Sequence, residues 1–482
     1  MELERAAALA DERLASFRAE FDVPGIAYGL VKDGELVHAG GVGEVVRGDR
    51  VPGPDDVFRI ASMTKSFTAA AVLLLRDRGA LRLDDPLAAH LPWTQELRPE
   101  GGGPPISLRD LLTMNAGLPT DDPWGDRLES LPLEEFDALV TEGVAFTRPP
   151  RTGYEYSNLG YALLGRVVAV ASGTDYGTFV TRELLAPLGM DSTCLHTGQV
   201  PNARRAQGYH PVDSELVPEP ATTPGAFSPM GGLHSSVRDL ARWVAGFGAS
   251  WRGEVDHPLS RWSLREMQEP HVHNHTDPVA ASGAVPERSV SSGYGFGLVV
   301  DDDRRFRRVV SHTGGYPGFG SHMRWHPGTG WGVVVLGNRT YTPAQRVGAS
   351  LLAELVEQSR EQLEASDVAA SLWPRTRAAV DVVDSLLESW DDSLADRWFA
   401  PNVDLDRPRA QRRAAFEEVR SRIGAFHRAA TPWESTSPAH ARWWLEGVEG
   451  TAYAEVLLSP DRVPRIQSLT VSTEPVPDTT WD

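Results

Sequence analysis

Ser62 and Lys65 are the first residues in this sequence whose types and spacing could perform covalent chemistry. They stand three positions apart in "RIASMTKSFT", and the chain has only one other lysine, Lys32, among 47 lysines and arginines. A serine hydroxyl becomes a useful nucleophile when a base takes its proton. A lysine, unlike an arginine, can be that base once burial lowers its pKa. On a helix this spacing places both side chains on one face. The pair therefore indicates a serine nucleophile with a lysine base, although a surface lysine would give the same pattern.

A second candidate group lies in "YEYSNLGY", where Tyr156 and Asn158 fall on a turn just before a predicted helix. A phenol beside an ammonium group can give or take a proton. An asparagine amide can orient a lysine and bind a substrate amide. Both residue types are also common in turns without any catalytic role, so the motif alone leaves both interpretations open.

A third candidate group lies in "SHTGGYPGFG", where His312, Thr313 and Gly314 end a predicted strand. The glycines at 314 and 315 would let a substrate approach the backbone closely and would leave N–H groups uncovered. A glycine-rich hairpin without function would show the same residues. The order and spacing of the three groups along one chain are more specific than any one of them alone.

In that order the three motifs resemble the penicillin-recognising serine enzymes, a superfamily that includes class C β-lactamases, DD-peptidases, D-aminopeptidases and related esterases. The resemblance covers about residues 5 to 365 and includes "SPMGGLHSSVRDLARW", which is typical of the class C-like branch. Tyr-x-Asn stands where class A enzymes have Ser-Asp-Asn, and a histidine replaces the lysine of their Lys-Thr-Gly. The resemblance implies an α/β (α+β) fold of the β-lactamase/transpeptidase type, an antiparallel sheet flanked by helices with an inserted helical subdomain.

The resemblance also implies a role for each side chain. Ser62 is expected to carry the acyl group, while Lys65 and Tyr156 share the proton transfers. Asn158 is expected to orient Lys65 and the substrate amide. His312 is expected to complete the hydrogen-bond ring and to contact the substrate. The glutamate that class A β-lactamases use in deacylation has no counterpart in this sequence.

Backbone groups and strand residues are expected to hold the reacting carbonyl. The resemblance implies an oxyanion hole made by the N–H groups of Ser62 and Gly315, with Thr313 and Gly314 beside the substrate. His312 is largely neutral near pH 7, whereas a lysine there is a fixed cation that can hold a substrate carboxylate. The histidine therefore favours an esterase, D-aminopeptidase or thioesterase over a β-lactamase or DD-carboxypeptidase.

The substrate is expected to be a peptidyl or ester compound, either free or bound to a carrier protein. One subgroup of the superfamily, the stand-alone penicillin-binding-protein-type thioesterases of nonribosomal peptide pathways, combines a cytoplasmic location with a small C-terminal domain. These enzymes release a peptidyl thioester with a C-terminal D-residue by head-to-tail cyclisation. Hydrolysis by an esterase or D-peptidase is the alternative. A catalytically inactive binding module is disfavoured because Ser62, Lys65 and Tyr156 are all present.

The extra C-terminal part of the chain offers one further candidate. In the thioesterase interpretation, Arg465 in "VPRIQSL" would reach over the site and hold a carboxylate through a bidentate pair. An ordinary strand arginine is the alternative.

The predicted elements place these motifs on one scaffold. The segment "GIAYGLVKDGELVHAGGVGEV" predicts two strands about a turn, and "SMTKSFTAAAVLLLRDRGAL" predicts a buried helix from Ser62 to Gly79. Further strands are predicted from about residue 290, followed by a helix from Pro343 to Gln362. Strands at both ends predict one sheet built from the two ends of a domain. We expect a catalytic domain at 1–367 and a small α+β accessory domain at 368–482.

Composition limits the partners of this chain. Its net charge of −19 disfavours nucleic acid and anionic membrane surfaces. The acidic N-terminal segment and the lack of a long apolar run predict no signal peptide, no transmembrane helix and a cytoplasmic location. The alternating histidines of "HVHNHTD" at 271–277 predict a polar loop and not a metal site. No metal and no organic cofactor are expected. The single cysteine, Cys194, excludes an internal disulfide.

Overall fold

A computed structural model describes residues 3–213, 215–253, 256–281, 285–359, 372–430 and 433–474. The chain divides into two compact units, Met1–Ser359 and Arg360–Asp482. The predicted domain boundary between residues 367 and 368 lies outside the described residues. Within the described ranges, no helix combines the length and the apolar character needed to cross a membrane.

The larger unit is built around an antiparallel sheet. Its strands are β1 (Gly25–Lys32), β2 (Glu35–Gly43), β3 (Phe58–Arg59), β4 (Tyr209–Val212), β5 (Glu215–Pro218), β6 (His234–Ser235), β7 (Val272–Val279), β8 (Arg288–Tyr294), β9 (Val299–Asp303), β10 (Arg307–Tyr316), β11 (Phe319–Trp325) and β12 (Trp331–Gly337). In the part of the chain that is described, eight of them form the main sheet in the order β2-β1-β12-β11-β10-β9-β8-β7. The first hairpin therefore pairs with the last strand, which confirms a sheet built from both ends of the unit.

The first hairpin has a turn of two residues, Asp33 and Gly34, with φ of 52° and 95°. Positive φ at both positions matches the twist of the flanking strands, so the turn holds β1 and β2 in register. Beyond the hairpin, Ile26 lies opposite Gly337 and Lys32 opposite Trp331. The N-terminal strand is thereby fixed beside the strand that closes the unit.

Helices cover the sheet and fill the inserted subdomain. They are α1 (Leu3–Glu20), α2 (Thr64–Asp77), α3 (Leu87–His90), α4 (Leu108–Leu112), α5 (Asp122–Arg127), α6 (Leu133–Glu142), α7 (Asn158–Ser172), α8 (Tyr176–Val180), α9 (Ser228–Gly231), α10 (Val237–Arg252), α11 (Arg261–Met267) and α12 (Ala344–Gln358). The alanine- and leucine-rich α2 is almost wholly buried, and the chain leaves it through Gly79 at φ 75°. The predicted start of this helix at Ser62 is wrong by two residues, because Ser62 lies in a 3-10 turn, Ala61–Met63, that precedes α2.

One further local prediction is wrong. Residues 272–277 of the histidine-rich segment lie in β7, an edge strand paired with β8, and do not form a loop. Most of its side chains are exposed. With solvent on both faces, such a strand has no need of the apolar alternation by which sequence patterns reveal strands.

The smaller unit is an α+β arrangement, as expected. Its helices are α13 (Pro374–Glu388), α14 (Asp392–Trp398), α15 (Pro401–Asp406) and α16 (Arg409–Ile423), and its strands are β13 (Phe426–Arg428), β14 (His440–Gly447), β15 (Thr451–Leu458) and β16 (Ile466–Ser472). The described strands pair antiparallel in the order β13-β14-β15-β16. Trp443 is fully buried in the core of this unit, where its indole N–H donates to Asp384 at 3.0 Å.

Candidate active site

Ser62 and Lys65 are brought together at the start of α2. Lys65 Nζ donates to Ser62 Oγ at 3.0 Å, to Asn158 Oδ1 at 2.6 Å and to the Met230 carbonyl at 2.8 Å. These three contacts use all three N–H groups of a protonated amine. The lysine side chain is completely buried, while Ser62 is partly exposed. A buried amine thus faces a hydroxyl that a substrate can reach.

Burial lowers the pKa of Lys65 to about 8, although the carboxylates of Asp122, Asp126 and Asp121 oppose the shift. Desolvation disfavours the ammonium form, and nearby negative charge favours it. An amine with this pKa is partly neutral at physiological pH, so it can accept the proton of Ser62. An amine at its ordinary value of 10.5 would remain protonated.

Tyr156 lies beside Ser62, and its ring lies 4.9 Å from Lys65 Nζ. Burial raises the pKa of Tyr156 well above its ordinary value of 10. The phenol is therefore neutral in the resting enzyme and suits the role of proton donor or relay. Tyr156 lies on the turn before α7, as the sequence predicts.

Asn158 is the first residue of α7, and two aspartates that the sequence analysis missed hold it in place. Asp121 accepts from the backbone N–H groups of Asn158 and Leu159 at 2.7 and 2.9 Å. Asp122 accepts from the Asn158 side-chain amide at 2.8 Å. Because the amide N–H faces Asp122, its oxygen is free to face Lys65. The Asn158 oxygen therefore faces the Lys65 amine, and its role in orienting that amine stays a prediction.

The turn that carries the nucleophile is held by the sheet. Ala61, directly before Ser62, has φ 47°, a conformation that residues other than glycine rarely adopt. Ser321 Oγ donates to the Ile60 carbonyl at 2.8 Å, and Ser321 lies opposite Gly314 in the register of β10 and β11. A Cβ atom at Gly314 would lie 2.2 Å from the Ile60 oxygen. Glycine at this position thus lets β10 approach the 3-10 turn that contains Ser62.

His312 lies on β10 and is almost fully buried. Its Nδ1 lies 2.7 Å from the Thr313 carbonyl, which can only accept, so Nδ1 carries the proton. The unprotonated Nε2 then accepts from the Tyr294 hydroxyl at 3.0 Å. Burial, together with the charge of Lys65, lowers the pKa of His312 to about 3. The histidine is neutral, and within the described residues its ring bonds neither to Ser62 nor to Lys65.

Tyr294 is a second residue that the sequence analysis missed. It is fully buried on β8, and its ring contacts the ring of Tyr156 edge-on at 6.4 Å between centroids. Tyr294 therefore links His312 to Tyr156, which lies beside Ser62. The segment "SGYGFG" predicts a strand, but it gives no sign that this tyrosine faces the site.

The remaining strand residues lie beside these groups. Thr313 Oγ1 shares a hydrogen bond of 3.0 Å with His322 Nδ1. Gly315 lies opposite Gly320, and a Cβ atom on it would come within 2.8 Å of the Tyr341 ring. The oxyanion-hole role of Ser62 and Gly315 stays a prediction.

Arg465 belongs to the smaller unit, directly before β16. Its backbone N–H donates to Ser459 Oγ at 3.0 Å, and its guanidinium contacts Asp461 at 3.5 Å. The guanidinium is partly exposed. Its role in binding a substrate carboxylate stays a prediction.

No metal site accompanies these residues in the described part of the chain, where no three histidine, cysteine, aspartate or glutamate side chains are grouped to hold an ion. The arrangement has the parts needed for acyl transfer to a serine. A partly neutral amine can take the hydroxyl proton, and a neutral phenol can return one to the leaving group.

Comparison with known proteins agrees with this geometry. A family model described as Beta-lactamase matches residues 10–358. Penicillin-binding protein 4* of Bacillus subtilis (strain 168) is 27% identical over 280 residues, which are 56% of this chain and 58% of that protein. Protein flp of Staphylococcus aureus (strain NCTC 8325 / PS 47) is 26% identical over 351 residues, 71% of this chain and 65% of that protein. The chain thus spans about three fifths of the length of these curated relatives.

A solved structure extends the likeness of fold. The octameric penicillin-binding protein homologue from Pyrococcus abyssi superimposes with a TM-score of 0.61 at 22% sequence identity. The match covers 96% of this chain and 99% of that one. At this identity the likeness concerns the fold.

Proposed function

Because the chain belongs to the Beta-lactamase family of serine hydrolases and acyltransferases, we propose that it forms an acyl-enzyme on Ser62 and transfers the acyl group to an amine of the same substrate. The substrate would be a peptidyl thioester with a D-residue at its C-terminus, free or bound to a carrier protein, and the product a head-to-tail cyclic peptide. Carrier-bound peptides occur in the cytoplasm, so the reaction would take place there. The observation that carries the proposal is the 3.0 Å contact between the buried Lys65 amine and Ser62 Oγ.

The chemical steps follow from the protonation states of the site. The neutral fraction of Lys65 takes the proton of Ser62 as Oγ attacks the thioester carbonyl, and the C–S bond then breaks. The thiol leaves with a proton supplied through Tyr156, whose phenol is neutral at rest. In the second half, the substrate amine gives its proton to the same pair as its nitrogen attacks the acyl carbonyl. The C–Oγ bond breaks and Ser62 regains its hydrogen.

Because His312 is neutral, we expect a substrate that places no free carboxylate beside β10. Relatives with Lys-Thr-Gly have a cation at this position, whereas His312 is uncharged and has a lowered pKa of about 3 because it is buried. Three carboxyl groups also act on Lys65, those of Asp121, Asp122 and Asp126. The negative charge of these groups would repel a carboxylate on the substrate, whereas it would not repel a neutral thioester or amine.

Hydrolysis is the alternative outcome, since the same Lys65 amine could activate a water molecule in place of a peptide amine. The test uses a peptide activated as a small-molecule thioester at a C-terminal D-residue, with its N-terminus either free or acetylated. Cyclisation predicts cyclic product from the free peptide and little turnover of the acetylated one. Linear acid as the only product from both peptides would replace the cyclase proposal with a hydrolase. If neither peptide reacts and no acyl-Ser62 forms, the acyl-transfer proposal itself fails.

A further inference from the structure

A cavity with a volume of about 330 Å³ lies beside the segment that leads to Ser62. Arg59, three residues before Ser62, and Tyr316, directly after Gly315, both line it. Neither Ser62 nor Lys65 is among the described residues of its wall. The cavity is therefore separate from the nucleophile, although it shares a strand with the catalytic site.

Arg205 brings an unbalanced positive charge to this cavity. Its Nε donates to the Val200 carbonyl at 2.6 Å, and among the described residues no carboxylate forms an ion pair with its guanidinium. Its neighbour Arg204 lies outside the wall and uses its guanidinium on the Asp55 carbonyl and on Ser192 Oγ. A guanidinium without a carboxylate partner beside a cavity favours an anionic ligand.

The other charged groups of the wall are already neutralised. Arg59 forms a buried ion pair with Glu129, and its guanidinium stacks 3.4 Å above the Tyr316 ring. Glu219 is paired with Arg127 at 2.8 Å and contacts His210 at 2.7 Å. The net charge left for a ligand to balance is that of Arg205.

Besides Glu219 Oε2, which lies 2.7 Å from His210 Nδ1, two buried nitrogen atoms of the wall have no hydrogen-bond partner in the described part of the chain, Arg59 Nε and His234 Nδ1. The Arg59 side chain is only 3% exposed. His234 is neutral, because burial lowers its pKa to about 3. In the tautomer that carries its proton on Nε2, Nδ1 of His234 is an unused acceptor, while Arg59 Nε–H is an unused donor. Buried polar atoms normally have partners, so both atoms indicate a ligand with complementary groups.

The rest of the wall is largely apolar and includes Val57, Ala206, Pro317 and Phe319. Four exposed residues form its rim, Asn202, Pro220, Ala221 and Thr222. We propose that this cavity binds a small monocarboxylate that has an apolar body and at least one hydrogen-bond donor, such as an α-hydroxy acid or an N-acylated amino acid. Its carboxylate would bind Arg205 and Arg59 Nε–H, and its donor would bind His234.

The test measures binding to full-length protein with Ser62→Ala, so that turnover cannot interfere. Mandelate and N-acetylphenylalanine are titrated by calorimetry, with mandelamide as the uncharged control. At least one acid is expected to bind, and Arg205→Gln should weaken its binding at least about tenfold because a charge-assisted hydrogen bond is lost. Arg204→Gln is the matched control and should leave the affinity unchanged.

Three results would overturn this assignment: no binding of either acid at millimolar concentration, equal binding of mandelate and mandelamide, or equal effects of the two arginine substitutions. Ala221→Trp provides a second variant at the exposed rim, and it should block binding even if Arg205→Gln does not fold. Phosphonylation of wild-type Ser62 by a fluorophosphonate, in which Oγ displaces fluoride from phosphorus, should leave the acid bound. Loss of binding on phosphonylation would assign the ligand to the catalytic cleft, and none of these outcomes depends on the proposed cyclisation.

Discussion

The amine of Lys65 lies 3.0 Å from the hydroxyl of Ser62 and is completely enclosed by protein. In this contact the Lys65 amine, which can lose its own proton and so act as a base, faces the Ser62 hydroxyl, which must lose its proton to attack a substrate. Its consequences for catalysis can be measured, because the pKa of the amine falls within a range that buffers can reach.

The rate of acylation should rise with pH through a midpoint of about 8. Burial lowers the pKa of Lys65 to about 8, and only the deprotonated amine can accept the proton of Ser62, so activity increases as pH rises through that value. The measurement is kcat/KM for a p-nitrophenyl ester between pH 5.5 and 9.5. A midpoint near 6.5, as for an ordinary histidine, would contradict the assignment of Lys65 as the base.

Asp126→Asn should move that midpoint to lower pH. The Asp126 carboxylate raises the pKa of Lys65, so its neutralisation makes the amine easier to deprotonate. The pH profile of the variant is compared with that of Asp302→Asn, an exposed aspartate on β9. Equal midpoints for the two variants would show that Asp126 does not act on Lys65.

The same Asp126→Asn substitution should stabilise the fold at pH 7.5. Burial raises the pKa of Asp126 to about 6 in the folded state, so the fold loses stability as pH rises from about 4 to 6 and the carboxyl ionises. The gain should be about 1–3 kcal/mol at pH 7.5 and close to zero at pH 4. An asparagine oxygen can still accept from the Tyr341 hydroxyl, which lies 2.8 Å from Asp126. Urea unfolding at both pH values checks the sign, and a loss at pH 7.5 would contradict it.

Gly314→Ala should disable the site, since its Cβ atom would lie 2.2 Å from the Ile60 oxygen and would push β10 away from the nucleophile turn. We expect acylation to fall by about 100-fold or more and the free energy of unfolding by about 1–3 kcal/mol. Gly198→Ala is the control, because a Cβ atom there has no neighbour within 4 Å. Wild-type acylation in Gly314→Ala would mean that the strand does not contact the turn.

Tyr294→Phe should leave Nε2 of His312 without the donor that now lies 3.0 Å away. A buried acceptor that loses its partner costs about 1–3 kcal/mol of stability. The NMR chemical shifts of the His312 ring nitrogens should also change in this variant. Tyr176→Phe also removes a buried hydroxyl, which contacts Thr68 at 2.7 Å, and should leave the His312 resonances in place. Unchanged His312 resonances in Tyr294→Phe would show that the bond is absent.

The sequence predicts the overall fold well because its strongest patterns are local. Three patterns are each typical of one kind of element. The two-residue turn at Asp33 and Gly34 predicts a hairpin, the apolar run of α2 predicts a buried helix, and the alternation after residue 290 predicts strands. Their order along the chain then predicts the sheet. The edge strand β7 was missed because it buries too little of its surface to need an apolar pattern.

The candidate catalytic side chains can be proposed from their motif spacing, but the groups that hold them cannot. Asp122 and Ser321 contact Asn158 and Ile60 only because helices and strands far apart in sequence pack together. Tyr294 reaches His312 from β8, which is separated from β10 by β9. Such contacts follow from tertiary packing, and no spacing along the chain encodes them.

The central claim is that Ser62 carries a covalent acyl group. Intact-mass spectrometry of the protein after brief exposure to an activated thioester, followed by peptide mapping, tests it directly. We predict one adduct on the peptide that contains Ser62, none in Ser62→Ala, and a normal adduct in Ser421→Ala, where the serine is exposed on α16. A wild-type protein that stays unmodified, or a Ser62→Ala variant that acquires the adduct as readily, would contradict the assignment.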